Sequence, residues 1–336
     1  MRFSFPFGFS SAPYRWPARV PRSHGAQALV AATVTLLVAS VVAFPGCSAS
    51  PRGEFPDEAK DAGAVEPSGD AGAKPPSFTD GGVPDTGAPK GPSEIFGHSG
   101  TTLYRLDPDT KSVQVIGPFA GCGTTAVIDI ALDEASNMYG TTSSSLYRID
   151  KANAKCTKVA DAPSRQNFPN SLSFVPKGTL DKGVEALVGY VDDVYVSIDP
   201  QTGKLTTVGK LDNIRPSRVR SSGDIVSVIG GPTYLTVTGF GNDPLPQCQA
   251  ADCLVEIDPV TGSLVKNLGP LNARQDVFGV AFWAGAIYGF SKSGSLFQVQ
   301  TAGGTLTLTE IAIPAAPAGL SFFGAGSTTS APVLPK

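Results

Sequence analysis

Four aspartates recur along the chain, at Asp107, Asp150, Asp199 and Asp258, each closing a short run of alternating apolar and polar residues. A ring of carboxylates can bind a cation, and that is the chemistry the set first suggests. Each also opens a segment such as Asp199-Pro200-Gln201-Thr202-Gly203, in which the Asp side chain accepts amide hydrogens two or three residues on. Turn capping therefore accounts for all four without a ligand. Asp129, Asp133 and Glu134, and the pair Asp192 and Asp193, are further oxygen donors for calcium, with no EF-hand spacing around them. A catalytic histidine needs an orienting partner and a nucleophile to serve. His98 shows neither in sequence and reads as a polar group at a strand end. Arg215, Arg218 and Arg220 offer an anion site or, more simply, a solvated face. Trp283, last in its strand, is the aromatic best placed to reach a ligand. No phosphate loop, nucleophile elbow, zinc-protease helix or dinucleotide fingerprint appears, so no catalytic residue, metal site or cofactor is assigned.

Composition narrows the classes further. The 336 residues are 41% apolar and 16% charged with a formal net charge of −3, enough apolar material for a core and no basic excess to displace phosphate counterions. Nucleic acid is accordingly not an expected partner. Two histidines in the whole chain argue against His-based metal or acid–base chemistry, and 38 Gly and 29 Pro beside two Met favour turns over long helices.

The elements that must position any site come from an internal repeat. Its copies are Leu103-Tyr104-Arg105-Leu106-Asp107-Pro108, Leu146-Tyr147-Arg148-Ile149-Asp150, Tyr195-Val196-Ser197-Ile198-Asp199-Pro200 and Leu254-Val255-Glu256-Ile257-Asp258-Pro259, with a degenerate fifth at Leu296-Phe297-Gln298-Val299-Gln300. Aligned positions 107, 150, 199, 258 and 300 lie 43, 49, 59 and 42 residues apart, the size of a propeller blade. Each copy turns into a further strand, as Asp199 to Gly203 leads into Leu205-Thr206-Thr207-Val208. Glycines 97, 140, 189 and 289 precede four of the copies by ten or eleven residues, and an apolar strand such as Ile128-Asp129-Ile130-Ala131-Leu132 comes earlier still. Four strands per unit follow.

The units are out of phase with the ends of the domain. It opens at a second strand, Ile95-Phe96-Gly97-His98, and is expected to close on a lone first strand, Gly319-Leu320-Ser321-Phe322-Phe323. Pairing the two would complete a blade and remove the exposed sheet edges. Residues 95–326 are thus predicted to be all-β, one five-bladed β-propeller clasped by its C-terminal strand, with 327–336 as a flexible tail. Strand-like material at 223–228 and 233–237 leaves six blades open, and a β-sandwich is the plainer alternative. The repeats resemble those of bacterial β-propeller proteins whose blades end in Leu-Tyr-x-Ile-Asp before a Thr-Gly turn. That resemblance implies a fold and no single function.

Upstream, Arg2, Arg15, Arg19 and Arg22 precede an uncharged stretch from Ala28 to Phe44, the n-region and h-region order of a secretory signal. Phe44-Pro45-Gly46-Cys47 then resembles the lipobox of bacterial lipoproteins. The resemblance implies that 1–46 is a signal peptide, that Cys47 is acylated, and that Ser48, which is not the Asp of inner-membrane retention, sends the protein to the outer membrane. An uncleaved anchor and ordinary secretion stay open. Residues 47–94 follow as a Pro/Gly/Asp-rich tether, with Phe55, Val65, Phe78 and Val83 as their only large apolar residues, too few to offset the entropy of ordering.

With Cys47 set aside, four cysteines remain, and an even number in an exported chain favours disulfides. Of three connectivities, Cys122–Cys156 with Cys248–Cys253 is preferred, with zinc binding as the rival for the second pair. The expected function is a membrane-tethered binding or scaffold protein whose ligand, a protein or glycan, is unknown. The alternative is a propeller enzyme, a metal-dependent lactonase or lyase, whose acidic ligands converge in the central channel. Three or more carboxylate or amide side chains meeting at one channel mouth would favour the enzyme.

Overall fold

Alternation with period two decides which side chains of a strand face the neighbouring sheet. Across Ser145–Asp150, Leu146, Tyr147 and Ile149 are buried while Arg148 and Asp150 face water. A computed structural model describes residues 94–212, 219–239, 247–272, 274–302 and 305–334. The first three strands are β1 (Ile95–His98), β2 (Thr102–Leu106) and β3 (Val113–Pro118). The second blade holds β4 (Asp129–Leu132), β5 (Met138–Thr141), β6 (Ser145–Asp150) and β7 (Lys155–Asp161). The third holds β8 (Ser173–Val175), β9 (Ala186–Val191), β10 (Val194–Ile198) and β11 (Leu205–Lys210). In the fourth, β12 (Val219–Ser227) and β13 (Thr233–Gly239) precede a one-turn helix α1 (Gln247–Ala250), then β14 (Cys253–Ile257) and β15 (Leu264–Pro270). The fifth holds β16 (Val277–Trp283), β17 (Ala286–Ser291), β18 (Leu296–Ala302) and β19 (Thr305–Ile311), and β20 (Gly324–Ser327) is last.

These strands make five antiparallel sheets of four, and β20 heads the sheet β20-β1-β2-β3. The chain is a five-bladed β-propeller. Innermost strands β20, β4, β8, β12 and β16 touch in that order around the ring. Apolar clusters fill the wedges between blades. The material that left a sixth blade open is β12 and β13, the first two strands of blade four, and the long repeat interval reflects the insertion that carries α1.

The recurring glycine of each second strand has a steric cause. Gly97, Gly140 and Gly289 stand opposite Tyr104, Tyr147 and Phe297 of the third strand. A Cβ on Gly289 would lie 2.3 Å from the Phe297 ring. In blade three Gly189 stands opposite Val196, and the backbone of Ser171 and the Pro169 ring crowd it instead; blade four has Leu235 at this position.

Closure occurs, but through a different segment from the one expected. Gly319–Phe323 is not a strand; the clasp is β20, paired antiparallel to β1 with Ile95 opposite Ser327 and His98 opposite Gly324. Bulk does not fit in β20: a Cβ on Gly324 would fall 2.2 Å from Asp129 Oδ1, and one on Gly326 2.9 Å from Leu132. The apolar residues that suggested a strand do other work. Phe322 packs edge-on against Phe290 and Tyr104, with ring centroids 5.0 and 6.0 Å away.

The expected flexible tail is also corrected, for the residues described. Thr328, Thr329, Ser330 and Ala331 are buried. Thr328 bridges to Leu132 of blade two, the Thr329 carbonyl accepts from Ile229 N of blade four, and Thr329 Oγ1 donates to Glu185 of blade three. Gly285 N, in the β16–β17 turn, donates to Pro332 O. The segment seals that end of the channel through backbone contacts to blades two, four and five and one side-chain bond to blade three. The segments expected as signal peptide and tether, residues 1–46 and 47–94 with Cys47, lie outside the described residues except for Glu94.

Both preferred disulfides form. Cys122–Cys156 joins the β3–β4 connection to the outer strand β7, and Cys248–Cys253 joins α1 to β14, with Cα atoms 5.1 and 5.3 Å apart. Bonded sulfurs leave no zinc ligands there. Cys122 and Cys156 are 34 residues apart, so replacing both by alanine should lower stability by about 4 kcal/mol through the loop-closure entropy of the unfolded chain. Chemical denaturation measures this, and an unchanged midpoint would contradict it.

Candidate functional site

The strand direction sorts the candidate residues to two ends of the ring. The Asp turns join third to fourth strands at the same end as the buried C-terminal segment. Asp107 Oδ1 accepts from Asp109 N and Thr110 N at 2.8 and 3.0 Å, and Asp199 Oδ1 from Gln201 N and Thr202 N at 2.8 and 3.2 Å. Asp150 and Asp258 accept from Ala152 N and Val260 N in the same way, both at 2.9 Å. These amide bonds hold the Asp107 and Asp199 carboxyls below the usual carboxylate range. The four aspartates therefore cap turns and do not converge on a cation.

Nor do the other acidic groups converge as calcium sites. Asp133 caps its own turn at Asn137 N, 2.7 Å away, and Glu134 pairs with Lys177. Asp193 pairs with Lys210 at 3.1 Å, whereas Asp192 is exposed at a turn. Trp283 is buried in the apolar wedge beside blade five and reaches no cleft. Arg215 and Arg218 lie outside the described residues.

Asp129 and His98 stand inside the channel, a placement no local pattern signals. Both are wholly buried, with His98 Nε2 3.8 Å from Asp129 Oδ1. His98 Nδ1 lies 2.8 Å from the Ser99 carbonyl, which can only accept, so Nδ1 carries the proton. Burial pulls the imidazole down to about 4, leaving it neutral at pH 7. It ends β1, as the sequence suggested, but is wholly buried beside Asp129.

Asp224 of β12 completes this interior set, hydrogen-bonded to Asp129. Each carboxyl stitches neighbouring blades. Asp129 accepts from Ile130 N and Leu172 N, both at 2.8 Å, and Asp224 from Ile225 N at 2.6 Å and Val280 N at 2.9 Å. Ala325 N of the clasp also bonds to Asp224. Desolvation raises both carboxyls well above the ordinary range, because two facing acids without water cannot both ionise. At neutral pH the pair therefore holds on to a proton that exposed carboxyls would have released.

Above this floor the opposite end of the ring is open. A cleft of about 620 Å³, within the size range of small-molecule sites, lies at the channel mouth. Asn167, Phe168 and Asn170 enter it from the β7–β8 loop and Asp192 from the β9–β10 turn. Arg220 and Ser222 come from β12, Asp252 from the connection between α1 and β14 of blade four, Asp276 from the segment entering blade five and Phe278 from β16. Asp252 Oδ2 accepts from Val277 N at 2.9 Å, tying blade four to blade five, and its burial raises its pKa. A second recess of about 230 Å³ shares Ile128, Asn170, Ser222 and Phe278 with the cleft. It adds Ala126, Val127, Gly223 and Phe323.

Sequence reading singled out Asp129, His98, Asp192 and Arg220, but not Asp224, Asp252, Asp276 or the two asparagines. One signal was available. Ile128, Asp276 and Phe323 immediately precede the inner strands β4, β16 and β20, so they occupy one repeated position of the blade.

No family model matches the chain, and no curated protein matches it. Among solved structures, it is similar to a protein of unknown function from Bacteroides caccae at 11% identity over 65% of this chain and 72% of that one, with a TM-score of 0.36. BamB from Moraxella catarrhalis is similar at 11% identity over 65% and 64%, with a TM-score of 0.33. The Dos1 propeller is similar at 11% identity over 65% and 59%, with a TM-score of 0.33. The assignment of the propeller rests on the five sheets themselves.

Proposed function

We propose that this chain is a membrane-tethered, extracytoplasmic binding protein whose recognition surface is the channel mouth. The observation that carries the reading is the cleft of about 620 Å³ to which blades two to five contribute, above a channel closed at its far end. Export is supported by the signal-like N-terminus with its Gly46-Cys47 junction and by two disulfides, bonds that persist in oxidising compartments. Acylation of Cys47 makes the protein a cell-envelope lipoprotein, and Ser48 after it favours the outer membrane. The chain enters the propeller at Glu94, beside Ser136 and Lys151 and at the end opposite the cleft, so attachment leaves the mouth clear.

The enzymatic alternative called for carboxylates and amides at one mouth, and the mouth does gather Asp192, Asp252, Asp276, Asn167 and Asn170. A lactonase-type metal needs more than that. Among the described residues no group of three His, Cys, Asp or Glu could hold a metal ion, so these residues do not fit it.

A photo-crosslinking residue placed in cells at Asn167, and at Val184 as an exposed control outside the cleft, tests the reading. Adducts are expected from position 167 and not from 184, on protein whose mature N-terminus is acylated Cys47 by mass. Equal labelling at both positions, or a calcium-dependent rise in Tm, would overturn it.

A further inference from the structure

The cleft and its recess differ in chemistry. Ala126, Val127, Ile128, Phe278 and Phe323 wall the recess, with Asn170 and Ser222 as its polar members. The Phe278 and Phe323 rings stand edge to face, centroids 6.3 Å apart. Among the described residues the adjoining cleft presents the exposed carboxylates of Asp192 and Asp276, with the buried Asp252 behind them, against the guanidinium of Arg220. That balance attracts a cation and repels phosphate or another polyanion. Asn167, Asn170 and Gln275 add amides that both donate and accept.

We infer that the channel mouth binds an extended peptide segment, with an apolar side chain in the recess and a neighbouring basic side chain against Asp192 and Asp276; this deepens the binding reading above and rests on it. A neutral saccharide would leave the apolar recess unfilled, and a lipid chain would leave the polar cleft unmatched. Covering amides and carboxylates without offering them partners in place of water is costly, so an occupant must match both halves. A peptide does so because its backbone supplies alternating donors and acceptors between two unlike side chains.

Fluorescein-labelled tetrapeptides with Phe-Lys, Phe-Glu or Ser-Lys at their centre, flanked by glycine, test this by anisotropy, with phenethylamine as a small-amine competitor. Phe-Lys is expected to bind at least about tenfold tighter than either relative, more weakly as salt rises. The double variant Asp192→Asn with Asp276→Asn should erase the preference for Lys over Glu at unchanged Tm. Both positions have positive φ, 56° and 66°, which asparagine adopts readily. Ala126→Trp, at an exposed position on the recess rim, should erase the preference for Phe over Ser. Equal binding of all three peptides, or displacement by phenethylamine as effective as by unlabelled peptide, would overturn the inference. If the peptides fail while position 167 still crosslinks in cells, only the ligand class falls. If both fail, the binding reading falls with it.

Discussion

A chain ending at Phe323 should lose cooperative unfolding altogether. The truncation removes β20, which pairs with β1 over four residues and lies between the inner strands β4 and β16. It also removes Thr328 and Thr329, which tie blades two, three and four at the closed end of the channel. The β1 edge would then stand unpaired, a template for association with other chains. Aggregation and a broad, shallow melt are expected in circular dichroism and size-exclusion chromatography. Gly324→Val tests the same clasp without shortening it, because a Cβ there would meet Asp129 Oδ1 at 2.2 Å and His98 Nε2 at 2.4 Å. Both neighbours are wholly buried and cannot swing away. The overpacking should cost about 3 kcal/mol or more. A truncated protein that melts sharply at the parent temperature would show that closure lies elsewhere.

The second large effect is expected at the channel floor. Asp224→Ala should destabilise the fold by about 3–5 kcal/mol, since it leaves the amides of Ile225, Val280 and Ala325 buried without an acceptor. Asp224→Asn should rescue only part of this. Its amide nitrogen would face a backbone N–H on one side, donor against donor.

The same pair sets a pH dependence. Its carboxyls are raised above the ordinary range, so the folded chain keeps a proton that the unfolded chain releases near pH 4. That contribution is complete below about pH 4 and is lost as pH rises through the folded value. Glu185 and Asp252, also raised by burial, act in the same direction. His98 acts oppositely: with its pKa lowered to about 4 from 6.5, its contribution is present above 6.5 and lost as pH falls toward 4. The slopes oppose one another between about pH 4 and 6.5, and above that only the acids remain. Tm should therefore fall between pH 6.5 and 9, and the double variant Asp129→Asn with Asp224→Asn should flatten that fall. A parent Tm that is level or rising over this range would refute the retained proton.

Much of this molecule was written locally. Blade number followed from the spacing of the Leu-Tyr-x-Ile-Asp copies, because a hairpin's apolar alternation and its turn residues act over a few neighbours. The Asp turns were legible for the same reason. The backbone repeats with them, as the Asp199 carbonyl accepts from Gly203 N and the Asp258 carbonyl from Gly262 N, at 2.8 and 2.7 Å. The two disulfides followed from chain placement, each joining segments adjacent within one blade or its connection.

Tertiary structure alone decided what happens at the axis of the ring. The clasp, unlike the apolar inner strands β4, β8 and β16, is built of small residues, so Gly324-Ala325-Gly326-Ser327 gave no apolar signal while the aromatic segment before it did. Asp129 and Asp224 lie 95 residues apart and come from blades two and four, and no spacing rule joins them. Asn167, Asp192, Asp252 and Phe278 likewise enter the mouth from three different blades. Period and turn chemistry shape each blade separately, whereas the channel and its cleft exist only once closure brings five inner strands together.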